Sequence, residues 1–348
     1  MYSIKYSNVV AHTFTHHLPE EVVTTTELEE RLTPLYERLR LPPGRLEQIT
    51  GIKERRFWPA GTKPGEVSCK TVEQLLQESG VPRERIGTLI HGSVCRDQLE
   101  PATACAVHHQ TRLPADCSIF DLSNACLGVA NGMVQIADAI ELGRIDAGIV
   151  VGTEVARPLV EMTVERFNTS EEVTRKTIKS EIASLTIGSG SAAVLLVSRR
   201  LAEEFPSSTA RALAGGVIRA ETAGHELCKS EGHSTLMQTD SIGLLEAGLA
   251  AAVPAFDDFL ATLNWSREEI DQTCCHQVGS AHREQMLAAL GLDASRDILT
   301  FDRFGNTGST ALPIAASLAL SQQDAATFNK LALLGIGSGV NVVMLGLT

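Results

Sequence analysis

The sequence predicts an α/β protein built from two similar βαβαβ halves, on three observations. Apolar strand patterns alternate with helix-period patterns in the middle of the chain. The same alternation returns near the C-terminus at an offset of roughly 180 residues. Each copy also carries an Asp-then-Asn corner, Asp121/Asn124 and Asp302/Asn306. The duplication divides the chain into an N-terminal half, residues 1–200, and a C-terminal half, residues 201–348.

In order, residues 4–18 read as a strand and turn, and 26–39 as an amphipathic helix capped by the threonine run 24–26. A turn and basic strand follow at 50–56, then a helix at 70–79 stopped by Gly80 and Pro82. The first βαβαβ unit has strands at 86–94, 117–122 and 146–152 and helices at 103–112 and 125–142. Its apolar strands read as buried parallel ones. Residues 156–184 form a polar, helix-patterned insertion that could cover a pocket, and 186–197 return as a glycine-broken strand. The second unit has strands at 271–279, 297–301 and 330–335, helices at 281–292 and 310–322, and a closing strand at 340–347.

Composition limits the function. With 43% apolar and 21% charged residues and a net charge of −12, the chain reads as a soluble globular protein, and its charge argues against nucleic acid or an anionic membrane as the main partner. No apolar run reaches the length of a membrane span and the N-terminus lacks a signal-peptide core, so a cytoplasmic location is expected. The eight cysteines show no CxxC pair and no Cys/His ligand spacing. They read as reduced thiols, with no metal site and no bound cofactor.

Ligands of open α/β sheets bind beyond the carboxyl ends of the strands. There the sequence places Cys126, His276, Asn306 and the loop Gly335-Ile336-Gly337-Ser338-Gly339. Cys126 falls in the first turn of a helix, where unpaired N–H groups and the helix dipole favour thiolate. Together these features supply a nucleophile, an imidazole, a carboxamide and N–H groups for an oxyanion. Singly, each also reads as structural: a buried thiol, a hydrogen-bonded imidazole, a turn. A dinucleotide reading of the glycine loop is rejected, because a strand rather than a phosphate-binding helix follows it.

These motifs give a specific resemblance. Thr50-Gly-Ile-Lys-Glu-Arg-Arg, Pro101-Ala-Thr-Ala, Asn124-Ala-Cys-Leu-Gly, His276-Gln-Val, Gly305-Asn-Thr-Gly and the terminal glycine loop resemble the β-ketoacyl-acyl carrier protein synthase III family of the thiolase superfamily, over essentially the whole chain. The stretch Ser93–Ala104, Ser123-Asn-Ala-Cys-Leu and Leu333–Gly339 look closest to the OleA type. The resemblance implies a five-layered αβαβα fold, a homodimer, and a cytoplasmic acyltransferase of lipid biosynthesis that condenses two fatty acyl-CoA molecules without decarboxylation. It implies that Cys126 carries the acyl group, that the N–H groups of Cys126 and Ile336 hold the thioester oxygen, and that His276 and Asn306 hold the enolate. Glu100 matches a glutamate that enters the partner subunit's site and helps deprotonate the α-carbon; on its own it also reads as a solvated loop residue. Two alternatives stay open: a decarboxylative 3-oxoacyl-acyl carrier protein synthase III using malonyl-acyl carrier protein, and a non-catalytic acyl-binding or scaffold subunit. The pattern departs at Arg45 and Ile49, where synthases III have the Trp and Arg that grip CoA, so cofactor-binding residues are unassigned. His-Gln-Val also replaces the usual His-Gln-Ala.

Overall fold

A computed structural model of the chain describes residues 2–230, 236–322 and 328–348. Its strands are β1 (Tyr2–Lys5), β2 (Val9–His17), β3 (Glu21–Thr24), β4 (Glu54–Phe57), β5 (Ile86–His91), β6 (Ser118–Asp121) and β7 (Ala147–Glu154). They continue as β8 (Gly190–Ser198), β9 (Arg211–Ala220), β10 (Cys228–Ser230), β11 (Met237–Thr239), β12 (Gln272–Cys275), β13 (Leu331–Gly337) and β14 (Asn341–Leu347). The helices are α1 (Thr25–Arg31), α2 (Thr33–Leu39), α3 (Arg45–Thr50), α4 (Pro64–Ser79), α5 (Thr103–Thr111), α6 (Gly128–Glu141) and α7 (Arg157–Thr169). After them come α8 (Ile178–Glu181), α9 (Arg199–Glu204), α10 (Ser241–Leu263), α11 (Ser280–Leu290), α12 (Phe301–Phe304) and α13 (Ala311–Leu320).

The duplication is visible in strand order. The N-terminal half runs β2-β8-β7-β5-β6 and the C-terminal half β9-β14-β13-β12, with β1 on the other edge of β9. In both halves the strands nearest the far edge pair in parallel (β7, β5 and β6 in the first, β13 and β12 in the second) and the other pairs are antiparallel. The halves are joined through β2 and β9 at only two residue pairs, Val10–Ala212 and Ala11–Arg211.

Period-two alternation sorts the side chains into three helix layers around the two sheet halves. Leu331, Leu333, Val150 and Val343 point into a central core with α6 and α13. Ile149 and Val151 face α4 and α5, while Ala332, Leu334 and Val342 face α10 and α11. The result is a five-layered αβαβα stack. Helix α13 is buried nearly all round because it lies in the middle layer. The segment after β7 folds as α7 and α8, and Val160, Val164 and Phe167 pack on Leu28, Leu32 and Leu35 of the N-terminal helices.

Some elements differ from expectation. The helix predicted for 70–79 starts at Pro64, a residue suited to the first helical turn, and the single helix of 26–39 is broken into α1 and α2 at Leu32. The strand expected at 297–301 is reduced to one bridge, Thr273–Asp297. The Gln277 carboxamide oxygen accepts the Thr300 and Phe301 N–H groups at 3.0 and 3.3 Å, replacing the ladder those residues would have formed. Asp302, the expected counterpart of Asp121 in β6, therefore sits in the short helix α12. Helix α10 and strand β9 were outside the expected elements; the Gly, Ala and Pro254 content of α10 blurs its helical period.

Candidate active site

Strand β6 runs through Leu122 to Asn124 into a 3-10 turn, Ala125–Leu127, and only then into α6. Cys126 thus sits on the corner ahead of the helix rather than in its first α-turn. Ala125 has φ 45°, a left-handed value that costs a side-chain-bearing residue of order 1–3 kcal/mol and that persists where surrounding structure imposes it. The corner is pressed onto the sheet. A Cβ at Gly128 would lie 2.6 Å from the Gly92 carbonyl oxygen, so only glycine permits the approach. Across from it, a Cβ at Gly337 would meet Leu127 at 3.0 Å and the Cys126 Cβ at 3.6 Å.

The same end of the molecule holds the other expected groups. His276 follows β12, and its N–H donates to the Leu334 carbonyl of β13 at 3.0 Å, three residues before Gly337. Asn306 is held by its backbone, which donates to Thr186 and accepts from Gly188 at 2.8 and 2.9 Å. Its Oδ1 accepts the Gly308 N–H at 3.0 Å, which leaves the amide N–H₂ as the group available to a ligand. The next turn, Gly308–Thr310, packs directly on the Cys126 turn. Asn341 ties the corner to the glycine loop: its Nδ2 donates to Asn124 Oδ1 at 3.4 Å and to the Ser338 carbonyl at 3.3 Å.

Electrostatics distinguish the groups. Burial pushes the Cys126 thiol up to about 12, with Glu154 and Cys228 adding to the rise and N–H groups of Ser338 and Cys126 itself opposing it. The helix-dipole expectation of a free thiolate is therefore overridden by desolvation and a buried carboxylate. Burial holds His276 down to about 4, helped by His282, so the imidazole is neutral at physiological pH. Its Nδ1 is buried without a hydrogen-bond partner, and such a group costs about 1–3 kcal/mol unless a ligand completes it.

Ile336 is within β13 opposite Val342 of β14; Leu334, two residues earlier, faces β12, where its carbonyl accepts the His276 backbone N–H, so strand alternation turns the Ile336 N–H to that same side, past the end of β12, while the Ser338 N–H acts on the Cys126 sulfur. Glu100 stands exposed in the β5–α5 loop beside Leu99, which is 94% exposed. Sequence reasoning missed Glu154 and Ser309. A lone acidic residue ending the apolar strand β7 at its carboxyl end was the available signal for the first.

Comparison with known proteins follows the same outline. The thiolase N-terminal domain matches residues 59–208, and the 3-oxoacyl-[acyl-carrier-protein] synthase III C-terminal model matches 260–346. An acyl-CoA:acyl-CoA alkyltransferase from Shewanella oneidensis is 38% identical over 99% of both chains. The chain belongs to the OleA family of acyltransferases. A solved OleA from Xanthomonas campestris, a cysteine-to-serine variant with bound lauric acid and lauroyl-CoA, superposes with a TM-score of 0.91 at 32% identity, covering 99% of each chain. A β-ketoacyl-[acyl-carrier-protein] synthase III from Symbiobacterium thermophilum is more distant, at 28% identity over 88% of this chain and 87% of its own. Within the OleA family, then, this chain has the thiolase-like fold with its cysteine corner, imidazole and carboxamide at one sheet end.

Proposed function

We propose that this chain joins two fatty acyl-CoA molecules head to head by a non-decarboxylative Claisen condensation. The Cys126 sulfur attacks the first thioester carbonyl, and CoA leaves as its thiol with the cysteine proton. The N–H groups of Cys126 and Ile336 receive the carbonyl oxygen. The second acyl-CoA loses an α-proton, its enolate carbon attacks the Cys126 thioester, and the new carbon–carbon bond forms as the carbon–sulfur bond breaks, leaving a β-ketoacyl-CoA.

The observation that carries this reading is the pairing of a neutral imidazole with a carboxamide whose oxygen is already engaged. Both offer N–H donors suited to an enolate oxygen. Acyl transfer to a hydroxyl or amine would instead need a base for the nucleophile's proton. An acyl-CoA donor, unlike a malonyl donor, needs a base at its α-carbon, and Glu100 fits that role if a second subunit supplies it. Strand β6 supports such a homodimer: it is a sheet edge with unpaired backbone groups, and Phe120 on it, with Val94 and Leu99 nearby in sequence, is exposed. The eight free thiols fit a cytoplasmic setting.

The test offers myristoyl-CoA alone, then with malonyl-acyl carrier protein, and identifies products by mass spectrometry. A β-keto product from myristoyl-CoA alone is expected, with Glu100→Ala lowering its rate about 100-fold while the acyl adduct still forms. A β-keto product only when malonate is present, indifferent to Glu100→Ala, would mark a decarboxylating synthase III instead.

A further inference from the structure

Glu154, the last residue of β7, is a buried carboxylate with an unusual set of donors. Its Oε1 accepts the Val94 N–H at 3.1 Å, the Ser309 N–H at 3.3 Å and the Ser309 hydroxyl at 2.5 Å. Its Oε2 accepts the Cys95 N–H at 3.2 Å. The Trp58 indole N–H bonds its backbone carbonyl at 3.1 Å. The carboxyl also touches Gly308, where a Cβ would sit 3.2 Å away.

These donors come from two segments far apart in sequence. Val94 and Cys95 are the root of the loop that carries Glu100. Ser309 stands three residues after Asn306, and Gly308 between them orients the Asn306 carboxamide. The turn that Ser309 belongs to packs on the Cys126 turn, and the charge of Glu154 is felt at the Cys126 sulfur.

We propose that Glu154 is a positioning residue for condensation: one carboxylate fixes the Asn306 turn and the root of the Glu100 loop against the Cys126 corner. The proposal rests on the roles given above to Asn306 and Glu100. An amide at this position can keep the Ser309 hydroxyl bond, but its N–H₂ opposes a backbone N–H that the carboxylate accepts. Glu154 therefore matters more to the step that needs both loops than to acylation of Cys126.

The experiment compares Glu154→Gln and Ser309→Ala with the parent chain. Acylation is followed as the acyl adduct formed from myristoyl-CoA, condensation as β-keto product, and the thiol as the pH profile of iodoacetamide alkylation of Cys126. The groups that act on that thiol are Glu154 and Cys228 by charge and the N–H groups of Ser338 and Cys126 by hydrogen bonding. In Glu154→Gln, condensation falls about 30-fold and acylation less than about threefold, the rate equivalent of one lost charge-assisted hydrogen bond confined to the second step. Its alkylation midpoint moves to lower pH, because a negative charge near the sulfur is gone. In Ser309→Ala, condensation falls several-fold, roughly the effect of one neutral hydrogen bond, with the alkylation midpoint unmoved.

A Glu154→Gln variant that loses both steps equally, condenses at the parental rate or keeps the parental alkylation midpoint overturns the positioning role. Should that variant not fold, an absence of selective condensation loss in Ser309→Ala overturns it. A parent chain that forms no β-keto product from acyl-CoA defeats the proposed reaction instead, and the alkylation midpoint alone then decides the part played by Glu154.

Discussion

His91 and His276 stand at matching strand ends of the two halves but one register apart: His91 pairs with Val151 as Cys275 pairs with Leu334, and the residue whose backbone matches His276 is Gly92. His91 ends β5 opposite Val151 of β7; His276 follows β12 and bonds Leu334 of β13. Burial holds both rings down to about 4, and both have ring nitrogens without hydrogen-bond partners. Their surroundings differ. His91 is 1% exposed, closed in where β6 and α5 are clamped together by Asp121, which accepts the Thr103 and Ala104 N–H groups at 2.8 and 2.9 Å. Asp121, Asp97 and Arg96 act on its ring electrostatically. His276 keeps partial exposure, and the strand beside it leads to the Cys126 corner. The one-residue offset turns the two strand-end imidazoles to opposite faces of their sheets, and that placement, rather than ring chemistry, separates the structural one from the one proposed to act.

The largest expected effect tests whether the chemistry belongs to one half. Cys126→Ser should abolish the acyl adduct formed from myristoyl-CoA, a loss of at least about a thousandfold in adduct rate by intact mass measurement. An adduct surviving the change would move the nucleophile elsewhere, with Cys228 the first alternative, because it is near enough to act on the same sulfur.

The histidine pair itself gives the next test. His276→Leu should cut condensation about 100-fold or more by removing one enolate donor, with adduct formation less affected. His91→Leu should leave condensation per folded molecule at the parental level and change unfolding free energy at neutral pH by less than about 1 kcal/mol, since an apolar group of similar size replaces an unsatisfied one. Equal catalytic loss in the two variants would break the comparison.

The smallest effect is in acid. The folded-state value of about 4 for both rings lies below the ordinary 6.5. The unfolded chain therefore takes up protons first as pH falls. Their contribution to stability is complete above about pH 6.5 and declines as the pH falls toward 4. Melting temperature followed across that window should fall in the parent and fall less in His91→Leu. A flat profile in the parent would mean that neither ring is held neutral by the fold.

Residue types and their order made much of this molecule legible before its structure. The βαβαβ alternation follows from period-two and period-3.6 patterns, which burial enforces locally. The motif residues Cys126, His276 and Asn306 each follow the pattern of a strand or turn, so their arrival at strand ends could be read from the chain. The strand lost at 297–301 could not, because Gln277, 23 residues before Thr300, satisfies its N–H groups.

The sequence by itself determined the duplicated α/β architecture and named the candidate reactive groups, because both are carried by local pattern and side-chain chemistry. Only the tertiary structure decided which N–H faces the sulfur, that the thiol is pushed up rather than down, and that Glu154 gathers two loops. Those outcomes depend on desolvation and on hydrogen bonds between segments 60 and 155 residues apart, distances over which no sequence period carries information.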